Sequence, residues 1–511
     1  MPDTAADKHD RTDPGHVDLH EFRALAHRVV DLICDYHAGV GERPVAAIVE
    51  PGEFAAALPE APPEAGFAMG EGEWDDALAD VENLVLPALM HWQSPRFFGY
   101  FPCNSSWPAV LGDLLSTGLG VQGMLWQTGP ACTELETRVL DWMADACGLP
   151  AAFRSTATYA DGPHAGEPRG GGVIQGTASE ATLVALVAAR DRLRLLDPAL
   201  DPRTLVAYCS NQAHSSVLKA ARIAGIEHLR SMDVDEAFAL DADALEAQLR
   251  SDVDAGLRPF YLCATSGTTS SGAFDPIAAM ARLRNDHAPH AWLHVDAAWA
   301  GAATVCPEHR GFLGGLEHAD SYCFNPHKWL LTSFDCDLFW TRDRRALTDA
   351  LSVTPEYLRN SATEAGGVID YRDWQIPLGR RFRALKLWFV LRHYGLAGLR
   401  AHIRQHVEWA AWLEDQIEAS ADLELAAPRS LSLVCIRLIT RDGESPADAD
   451  ARTRSLLERC NATGRLLLTH TTLPTDGGER YAIRVSIGST HTRRTHVEEA
   501  WDAICTLAAD C

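Results

Sequence analysis

The sequence predicts an α/β fold with a mostly parallel central sheet. Between residues 172 and 340, short apolar runs alternate with segments of helical periodicity. This alternation is typical of a parallel sheet that is covered by helices on both faces. Ligands of such sheets bind beyond the carboxyl ends of the strands, so polar residues that directly follow an apolar run are the candidates for a site. The runs are GVIQG, LVAYCS, FYLCAT and AWLHVDAA.

Composition limits the classes of protein to which the chain can belong. It has 511 residues, of which 47% are hydrophobic, enough for a large core and for two or three domains or subdomains. The formal net charge of -25 disfavours nucleic acid and anionic membranes as partners, because both carry phosphate groups. The 13 cysteines include no C-x-x-C pair, so we predict neither a disulfide framework nor a bound metal.

No targeting or membrane segment is recognisable. The first residues are polar and lack the apolar stretch of a signal peptide. No run approaches the roughly 18 apolar residues of a membrane span. We therefore expect a soluble, cytoplasmic protein that acts on a small molecule.

Helical and loop patterns predict the order of the elements outside the sheet. Apolar residues recur on one face of 18–39, which indicates an amphipathic helix. Further helices are predicted near 74–91, at 108–119, at 131–147 and in the segment RFRALKLWFVLRHYG, and a bend-rich loop at 352–372. The predicted division is a disordered tail at 1–17, a helical arm at 18–107, a large α/β domain at 108–385 and a small α+β domain at 386–511.

Two residues carry the strongest chemical signal. Asp296 follows the run that begins at Ala291, and Lys328 stands in the string NPHKWL, 32 positions later. A lysine in apolar surroundings loses its proton readily and attacks an aldehyde as a neutral amine. A carboxylate at a strand end can keep a pyridine nitrogen protonated. Together they are the two groups that pyridoxal 5'-phosphate (PLP) requires of a protein.

Three further strand ends complete the predicted site. The string GTASE after the first run contains Thr177, Ala178 and Ser179 and opens a helix, whose free N–H groups attract phosphate. His214 follows the second run and can lie flat on a planar ring, and Thr269 follows the third. The string GLGVQG at 118–123 matches a dinucleotide fingerprint, but it follows a helical pattern rather than a strand, which disfavours that interpretation.

With these residues in place, the sequence resembles the group II PLP-dependent decarboxylases, and among them the aromatic-L-amino-acid decarboxylases. The matching strings are HWQSPRFFGYFP, PACTELETRVLDW, GGVIQGTASEATLVAL, QAHSSVLKA, HVDAAWAG, FNPHKWLLTSFDC and DYRDWQIPLGRRFRALKLWFV. They lie within residues 18–505. The resemblance implies PLP fold type I and a two-fold homodimer with active sites at the interface.

The resemblance also implies a role for each matched residue. Lys328 is implied to bind PLP covalently, Asp296 to pair with the pyridine nitrogen and His214 to stack on the ring. Ala178, Ser179, Asn325 and His327 are implied to surround the phosphate, and Thr269 to lie near the ring. Tyr357, in a mobile loop, is implied to protonate the substrate carbon after carbon dioxide leaves. The implied substrate pocket contains Trp92, Tyr100, Phe101, Pro102, Cys103, Gln122, Met124 and Gly379.

The substrate is predicted to be aromatic, with tryptophan favoured and a broad range possible. Cys103 stands where animal members usually carry threonine, which weakens the case for a catechol. Met124 is adaptable, and Gly379 resembles the small residue of members that accept indoles. Four alternatives stay open: an aromatic aldehyde synthase, a decarboxylase of glutamate or diaminobutyrate, a dinucleotide-dependent oxidoreductase and an inactive binding protein.

Overall fold

A computed structural model describes residues 16–64, 66–67, 73–353, 362 and 368–510. Within these ranges the chain forms a large, mostly parallel sheet followed by a smaller antiparallel one. The predicted α/β fold class is thereby confirmed. None of the helices in the described ranges combines the length and the apolar composition that crossing a membrane requires.

The large sheet is built from the runs that the sequence indicated and from three strands that it did not single out. Its strands are β1 Gly171–Gln175, β2 Leu205–Ser210, β3 His228–Met232, β4 Arg258–Thr265, β5 Trp292–Asp296, β6 Ser321–Phe324 and β7 Asp337–Thr341. Their spatial order is β1-β7-β6-β5-β4-β2-β3. Only β7 among these strands runs antiparallel to its neighbours. Its first residue therefore lies at the edge of the sheet where the other strands end.

Helices cover both faces of the large sheet. In β1, Val173 belongs to the core under one layer of helices and Ile174 to the core under the other, because successive side chains of a strand point to opposite faces. The first nine helices of the described chain are α1 Leu19–Gly39, α2 Glu53–Ala57, α3 Trp74–Asp80, α4 Trp107–Leu119, α5 Pro130–Cys147, α6 Ala178–Leu196, α7 Ser216–Ile223, α8 Ala242–Asp254 and α9 Ile277–His287.

Of the remaining helices, one lies between β6 and β7 and the others follow β7 in the chain. They are α10 Pro326–Trp329, α11 Arg344–Leu351, α12 Ala384–Glu418, α13 Pro446–Ala462 and α14 Arg494–Ala508. The long helix α12 is interrupted at Gly395, whose φ of 59° breaks the helical backbone. Short 3-10 or π segments occur at Val40–Glu42, Val81–Val85, Leu86–Ala88, Ala151–Phe153, Pro202–Thr204, Ala300–Val305, Pro307–Leu313, Leu316–His318 and Tyr371–Trp374.

The small sheet lies entirely within residues 386–511. Its strands are β8 Leu423–Leu425, β9 Leu433–Leu438, β10 Thr469–Thr475 and β11 Gly478–Ser486, in the order β10-β11-β9-β8. Residues of α12, α13 and α14 pack on it, and Phe98 of the N-terminal part enters the same core. The Phe98 N–H donates to the Leu467 carbonyl at 2.9 Å, and the Phe98 carbonyl accepts from Ser486 at the same distance. The segment before α4 is thus tied to the small sheet.

The amphipathic helix predicted at the N-terminus is α1. Asp18 caps it by accepting hydrogen bonds from the N–H groups of His20 and Glu21. No residue of α1 is buried in the single chain, and Leu19 is 85% exposed. The apolar face of this helix is therefore only partly covered within the described part of the chain.

Helices α4 and α12 cross at close range, and a glycine permits the approach. A Cβ atom added at Gly112 would lie 2.5 Å from the Lys386 Cα. The Lys386 side chain is buried, and its Nζ forms an ion pair with Asp113 at 3.2 Å. The crossing therefore fixes the position of α4 on the large domain.

We predict that Gly112→Ala destabilises the protein, because the added methyl group meets backbone atoms that cannot move freely. The expected loss is about 1–3 kcal/mol of unfolding free energy, the usual range for overpacking. Gly118→Ala in the same helix is the matched control, since no atom lies within 4 Å of its Cβ position. Melting temperatures at one scan rate provide the measurement. Equal melting temperatures for the two variants would contradict this description of the crossing.

Candidate active site

One cavity lies at the carboxyl edge of the large sheet, where β1, β2, β4, β5 and β6 end. Its volume is about 220 Å³. All nine residues that the sequence predicted to bind the cofactor line it: Thr177, Ala178, Ser179, His214, Thr269, Asp296, Asn325, His327 and Lys328. The cavity is smaller than the roughly 300–1,000 Å³ that is usual for a complete ligand site. This cavity can hold one compact ligand, and a larger substrate would need additional residues to enclose it.

The N-terminus of α6 forms one end of the cavity. Thr177 occupies the N-cap position, and its side chain makes no capping hydrogen bond with the described residues. The Ala178 N–H donates to the Asn325 Oδ1 at 3.1 Å, which fixes Asn325 beside the helix. The His327 Nδ1 contacts the backbone of Cys336, at 2.7 Å from its oxygen and 3.0 Å from its nitrogen. We call Thr177, Ala178, Ser179, Asn325 and His327 the phosphate cup.

The electrostatics of this cup suit an anion. The first N–H groups of a helix lack partners within it, and the helix dipole places positive potential there. Burial, and next the nearby Lys328, lower the pKa of His327 to about 3, so its ring is neutral at physiological pH. The cup therefore attracts an anion mainly through the helix N-terminus and through Lys328.

Lys328 and Asp296 line the same cavity, Asp296 buried and Lys328 half-buried. Lys328 belongs to the short helix α10, and its Nζ is 5.4 Å from the centroid of the Phe101 ring. Loss of hydration lowers the pKa of Lys328, and the attraction of Asp296 and Asp337 opposes this shift. Asp296 ends β5, and its Oδ1 accepts a hydrogen bond from the Ala298 N–H at 2.9 Å, which orients the carboxylate. The amine is thus more easily deprotonated than an exposed lysine, yet it has counter-charges nearby.

His214 lies at the mouth of the cavity, just before α7. Its Nδ1 accepts a hydrogen bond from the Ser216 N–H at 3.2 Å. Partial burial lowers the pKa of His214, although Asp296 acts in the opposite direction. One side of the ring stays exposed, and a planar ligand can stack there. Thr269 is also exposed, at the rim of the cavity.

A stack of aromatic rings forms the inner wall. Phe101 stacks on Trp299 with ring centroids 4.4 Å apart, and Trp299 stacks on Trp329 at 5.2 Å. The guanidinium of Arg484, on β11, lies 4.9 Å from the Phe101 centroid. Its Nη1 donates to the Tyr100 carbonyl at 3.2 Å. The small sheet therefore holds the aromatic wall against the cavity.

Five lining residues were not among the predicted site residues: Thr265, Gly267, Ala298, Trp299 and Phe334. The first four lie at the end of β4 or within three residues after β4 or β5, and a uniform application of the strand-end rule would have included them. Phe334 gave no such signal. It packs edge-on against His327, with ring centroids 4.8 Å apart. The chain reaches this position through a turn at Leu331, whose φ is 56°.

The predicted substrate pocket is divided in the single chain. Of its eight residues, only Phe101 lines the cavity. Trp92 and Tyr100 stack on each other beside it, with centroids 5.5 Å apart. Cys103 is held nearby, since its carbonyl accepts a hydrogen bond from Gln93 at 2.7 Å. Pro102 packs against Gly488, where an added Cβ would be only 2.5 Å from the proline ring.

The other three pocket residues form a separate cluster, which we call the distal cluster: Gln122, Met124 and Gly379. The Arg380 N–H donates to the Gln122 Oε1 at 2.6 Å, and a Cβ at Gly379 would lie 3.2 Å from the Gln122 Nε2. The Met124 carbonyl accepts from the Arg372 N–H at 3.1 Å. These residues do not line the cavity of their own chain. Tyr357 lies outside the described residues.

The string GLGVQG does not have the surroundings of a dinucleotide site. It closes α4, and Gly120 takes the left-handed conformation that often ends a helix, with φ of 61°. A dinucleotide fingerprint follows a strand and opens a helix. The oxidoreductase interpretation based on this string is therefore excluded.

Comparison with known proteins identifies the family. Residues 52–439 match the pyridoxal-dependent decarboxylase conserved domain. The chain belongs to this family, and it is a carboxy-lyase that uses PLP. Among curated relatives, it is 44% identical to phenylacetaldehyde synthase of Arabidopsis thaliana over 96% of each chain. It is 42% identical to tyrosine decarboxylase 2 of Narcissus pseudonarcissus, over 95% of this chain and 93% of that protein.

A tryptophan decarboxylase is also among these relatives, and a solved structure agrees with the fold. The chain is 41% identical to tryptophan decarboxylase 2 of Oryza sativa, over 95% of this chain and 94% of that protein. The crystal structure of Oryza sativa TDC with PLP and tryptamine superimposes with a TM-score of 0.90 and 40% identity, over 97% of this chain and 99% of that one. The chain thus belongs with the aromatic amino acid decarboxylases and the related aldehyde synthases.

The residues of the cavity fit PLP. A lysine amine, a strand-end carboxylate and a helix N-terminus are the groups that an aldehyde, a pyridine nitrogen and a phosphate require. In addition, the Thr265 Oγ1 lines the cavity and is buried without a hydrogen-bond partner among the described residues. Buried polar atoms in folded proteins are seldom left unpaired, so this hydroxyl is a contact point for a bound group.

Proposed function

We propose that the protein decarboxylates an aromatic L-amino acid to the corresponding arylalkylamine and carbon dioxide, with tryptophan as the favoured substrate. One observation carries the proposal: Lys328, Asp296, His214 and the phosphate cup line a single cavity whose wall is a stack of aromatic rings. Family membership supplies the reaction class, and the aromatic wall supports an aromatic side chain in the substrate.

Each residue of the cavity then has a chemical task. When bound, PLP supplies a pyridine ring that takes up the electron pair left behind as carbon dioxide departs. The Lys328 Nζ would hold the cofactor covalently through its aldehyde. The Asp296 carboxylate would keep the pyridine nitrogen protonated, and the cup would hold the phosphate. His214 would pack on the ring and keep water from that face.

A proton must reach the substrate carbon after carbon dioxide leaves. Tyr357 is the proposed donor, by its match to the catalytic loop of the family, and this assignment stays a prediction. A general acid at this step directs the reaction to the amine. In its absence, dioxygen and water can react at the same carbon, and the products are then an aldehyde, ammonia and hydrogen peroxide.

The preference for tryptophan is supported by the small residue at 379. Gly379 has no side chain, and the nearest atoms to its Cβ position belong to the Gln122 side chain, which leaves more room for a wide ring than a larger residue would. Met124 adapts its shape easily. Among the relatives, both tryptophan and tyrosine decarboxylases occur at similar identity, so activity on several aromatic acids is also proposed.

An aldehyde synthase is the second candidate, because phenylacetaldehyde synthase of Arabidopsis thaliana is 44% identical. His214 and Tyr357 favour the decarboxylase, since replacement of one or the other is expected to accompany the oxidative reaction. A non-aromatic substrate is disfavoured by the rings of Trp92, Phe97 and Tyr100, which stack beside the cavity at 4.5 and 5.5 Å.

We also propose that two copies of the chain form a homodimer with composite active sites. Apolar side chains of α1 and α4 are exposed, among them Phe22, Leu111, Leu114 and Leu119. The two helices adjoin, because the rings of His37 and Trp107 meet edge-on at 4.7 Å. Exposed apolar side chains on adjoining helices often mark a surface that binds another protein, which favours a partner.

We infer that a second copy of the chain covers this surface, because the surface adjoins the distal cluster. Helix α4 leads directly into Gln122 and Met124, so the exposed face continues into the distal cluster. The cavity itself is too small for the whole substrate. A second copy that covers α1 and α4 can bring its distal cluster to the open side of the first copy's cavity. By two-fold symmetry, the distal cluster of the first copy then reaches the cavity of the second.

We predict that the purified protein with PLP releases amine and carbon dioxide, without equal amounts of aldehyde and hydrogen peroxide. The panel is tryptophan, 5-hydroxytryptophan, tyrosine, DOPA, phenylalanine and glutamate, and tryptophan should have the highest kcat/KM. Tyr357→Phe should leave substrate binding largely intact and divert the product toward aldehyde. Stoichiometric aldehyde and peroxide from the unaltered protein would identify an aldehyde synthase, and turnover of glutamate alone would refute an aromatic substrate.

A second prediction concerns the composite site. Lys328→Ala removes the cofactor amine, and Gly379→Arg fills the distal cluster at an exposed position. If each site combines Lys328 of one copy with Gly379 of the other, a mixed dimer of the two variants contains one intact site. Unfolding and refolding an equal mixture should restore about a quarter of the activity, as random pairing requires. Each variant treated alone is the control. A mixture that stays inactive while forming dimers would refute the composite site.

A further inference from the structure

Asp337 is a buried acid that the proposed chemistry does not use. It is the first residue of β7 and is inaccessible to solvent. Neither carboxyl oxygen has a hydrogen-bond partner among the described residues. Carboxylates in protein interiors are normally paired, because removing an unpaired charge from water is unfavourable. An unpaired acid in this position therefore requires an explanation.

The position of Asp337 relates it to the phosphate cup. It pairs with Gln175 of β1, directly before the turn that contains Thr177. The β6–β7 ladder pairs Phe324 with Leu338, so Asp337 is beside the chain at Asn325. The preceding residue, Cys336, anchors the His327 ring. The three chain segments that build the cup are thus the immediate neighbours of Asp337.

The direction of the Asp337 side chain follows from the alternation of β7. Phe339, two positions later, packs in the same core as Val173 and Ala178. Asp337 therefore faces the layer of α6, close to the helix N-terminus. An anion in the cup and a carboxylate at this position would share one small, poorly hydrated region.

The charges around Asp337 are mostly negative or neutral. Burial raises the pKa of Asp337 well above its ordinary value, Asp296 and Glu180 raise it further, and Lys328 opposes them. The titratable groups near it are Glu180 on α6, Asp296 on β5, Tyr322 and Cys323 on β6, and His327, Lys328 and Cys336 between β6 and β7. Lys328 is the cation that acts on Asp337, whereas Lys386 and Arg383 act on the neighbouring Cys336. A bound phosphate would compete with Asp337 for Lys328.

We propose that Asp337 couples the phosphate cup to pH: the acid keeps its proton while a phosphate dianion occupies the cup, and its ionisation weakens phosphate binding. The proton is released to the solvent as pH rises and taken up again as phosphate binds. Asp337 is thus a positioning residue for the cofactor, which acts through the charge of the cup. The inference rests on the proposed placement of the cofactor phosphate in this cup.

The test uses apoenzyme and pyridoxine 5'-phosphate, which lacks the aldehyde and so forms no bond to Lys328. Calorimetric titrations between pH 7 and 9.5 avoid the second ionisation of the phosphate, near pH 6. For the unaltered protein, affinity should fall with pH by up to about tenfold per unit in the range where one proton is linked to binding. In Asp337→Asn the affinity should fall less steeply with pH. The pH dependence that remains is then due to Lys328 and the other titratable groups near the cup.

Asp349→Asn is the matched control, because Asp349 is exposed on α11 and its replacement removes one charge away from the cup. Its affinity profile should follow that of the unaltered protein. Titrations in two buffers of different ionisation enthalpy should show proton uptake on binding in both of these proteins and less uptake in Asp337→Asn. Asp337→Ser provides the same comparison if the asparagine variant does not fold.

Stability of the apoenzyme gives a readout that needs no ligand. Asp337 has a raised pKa in the folded protein, whereas the unfolded chain loses this proton above about pH 4. The buried acid therefore destabilises the unaltered protein increasingly as pH rises from 4 toward the folded pKa. Asp337→Asn should gain melting temperature relative to the unaltered protein between pH 5 and 8, and Asp349→Asn should not.

The possible failures are distinguishable. If PLP is still attached to Lys328 but Asp337→Asn keeps the full pH dependence of phosphate binding, the inference about Asp337 is wrong. If the label of reduced PLP is absent from Lys328, the proposed site itself is wrong. The inference would also be overturned if the difference in melting temperature between Asp337→Asn and the unaltered protein did not change with pH. Such a result would mean that the buried acid has an ordinary pKa.

Discussion

The proposed chemistry depends on the withdrawal of one amine from water. Burial lowers the pKa of Lys328, while Asp296 attracts the protonated form and limits the shift. A fully hydrated lysine would be protonated and unreactive toward an aldehyde. Without a carboxylate nearby, the pKa of this lysine would fall further, which would weaken its attraction for phosphate. The balance between these two effects is set by which residues surround the carboxyl edge of the large sheet.

The fold creates this balance through the direction of its strands. Parallel strands deliver Asp296 and, through the turn after β6, Lys328 to one edge, and the start of α6 adds positive potential beside them. The antiparallel strand β7 starts at the same edge, so it brings an additional acid, Asp337, into the group. Regular strand geometry therefore accounts for both the expected groups of the site and the unexpected one.

Much of the site could be predicted from the sequence because strand ends are local features. Asp296, His214 and the turn before α6 each follow a recognisable run, Lys328 stands in the recognisable string NPHKWL, and the sheet brings them together in one cavity. Strands β1, β2, β4 and β5 were recognisable for the same reason, whereas β3, with the sequence HLRSM, carries too many polar residues to be recognised as a strand.

Other parts of the site depend on contacts that no local pattern encodes. Arg484 reaches Phe101 from a different sheet, and Phe334 is turned into the cavity by the backbone at Leu331. The sequence around Asp337 does not mark it as a site residue, and only its burial and its lack of hydrogen-bond partners among the described residues draw attention to it. The distal cluster is separated from the cavity within one chain, and its use in catalysis depends on the proposed second copy.

The covalent attachment of PLP to Lys328 is the central claim, and reduction with borohydride tests it most directly. The chain has four lysines, at positions 8, 219, 328 and 386, so peptide mapping assigns the label without ambiguity. The account predicts one reduced pyridoxyl group per chain, on Lys328. A label on Lys386, Lys219 or Lys8 instead, or no label on holoenzyme that is active, would contradict it.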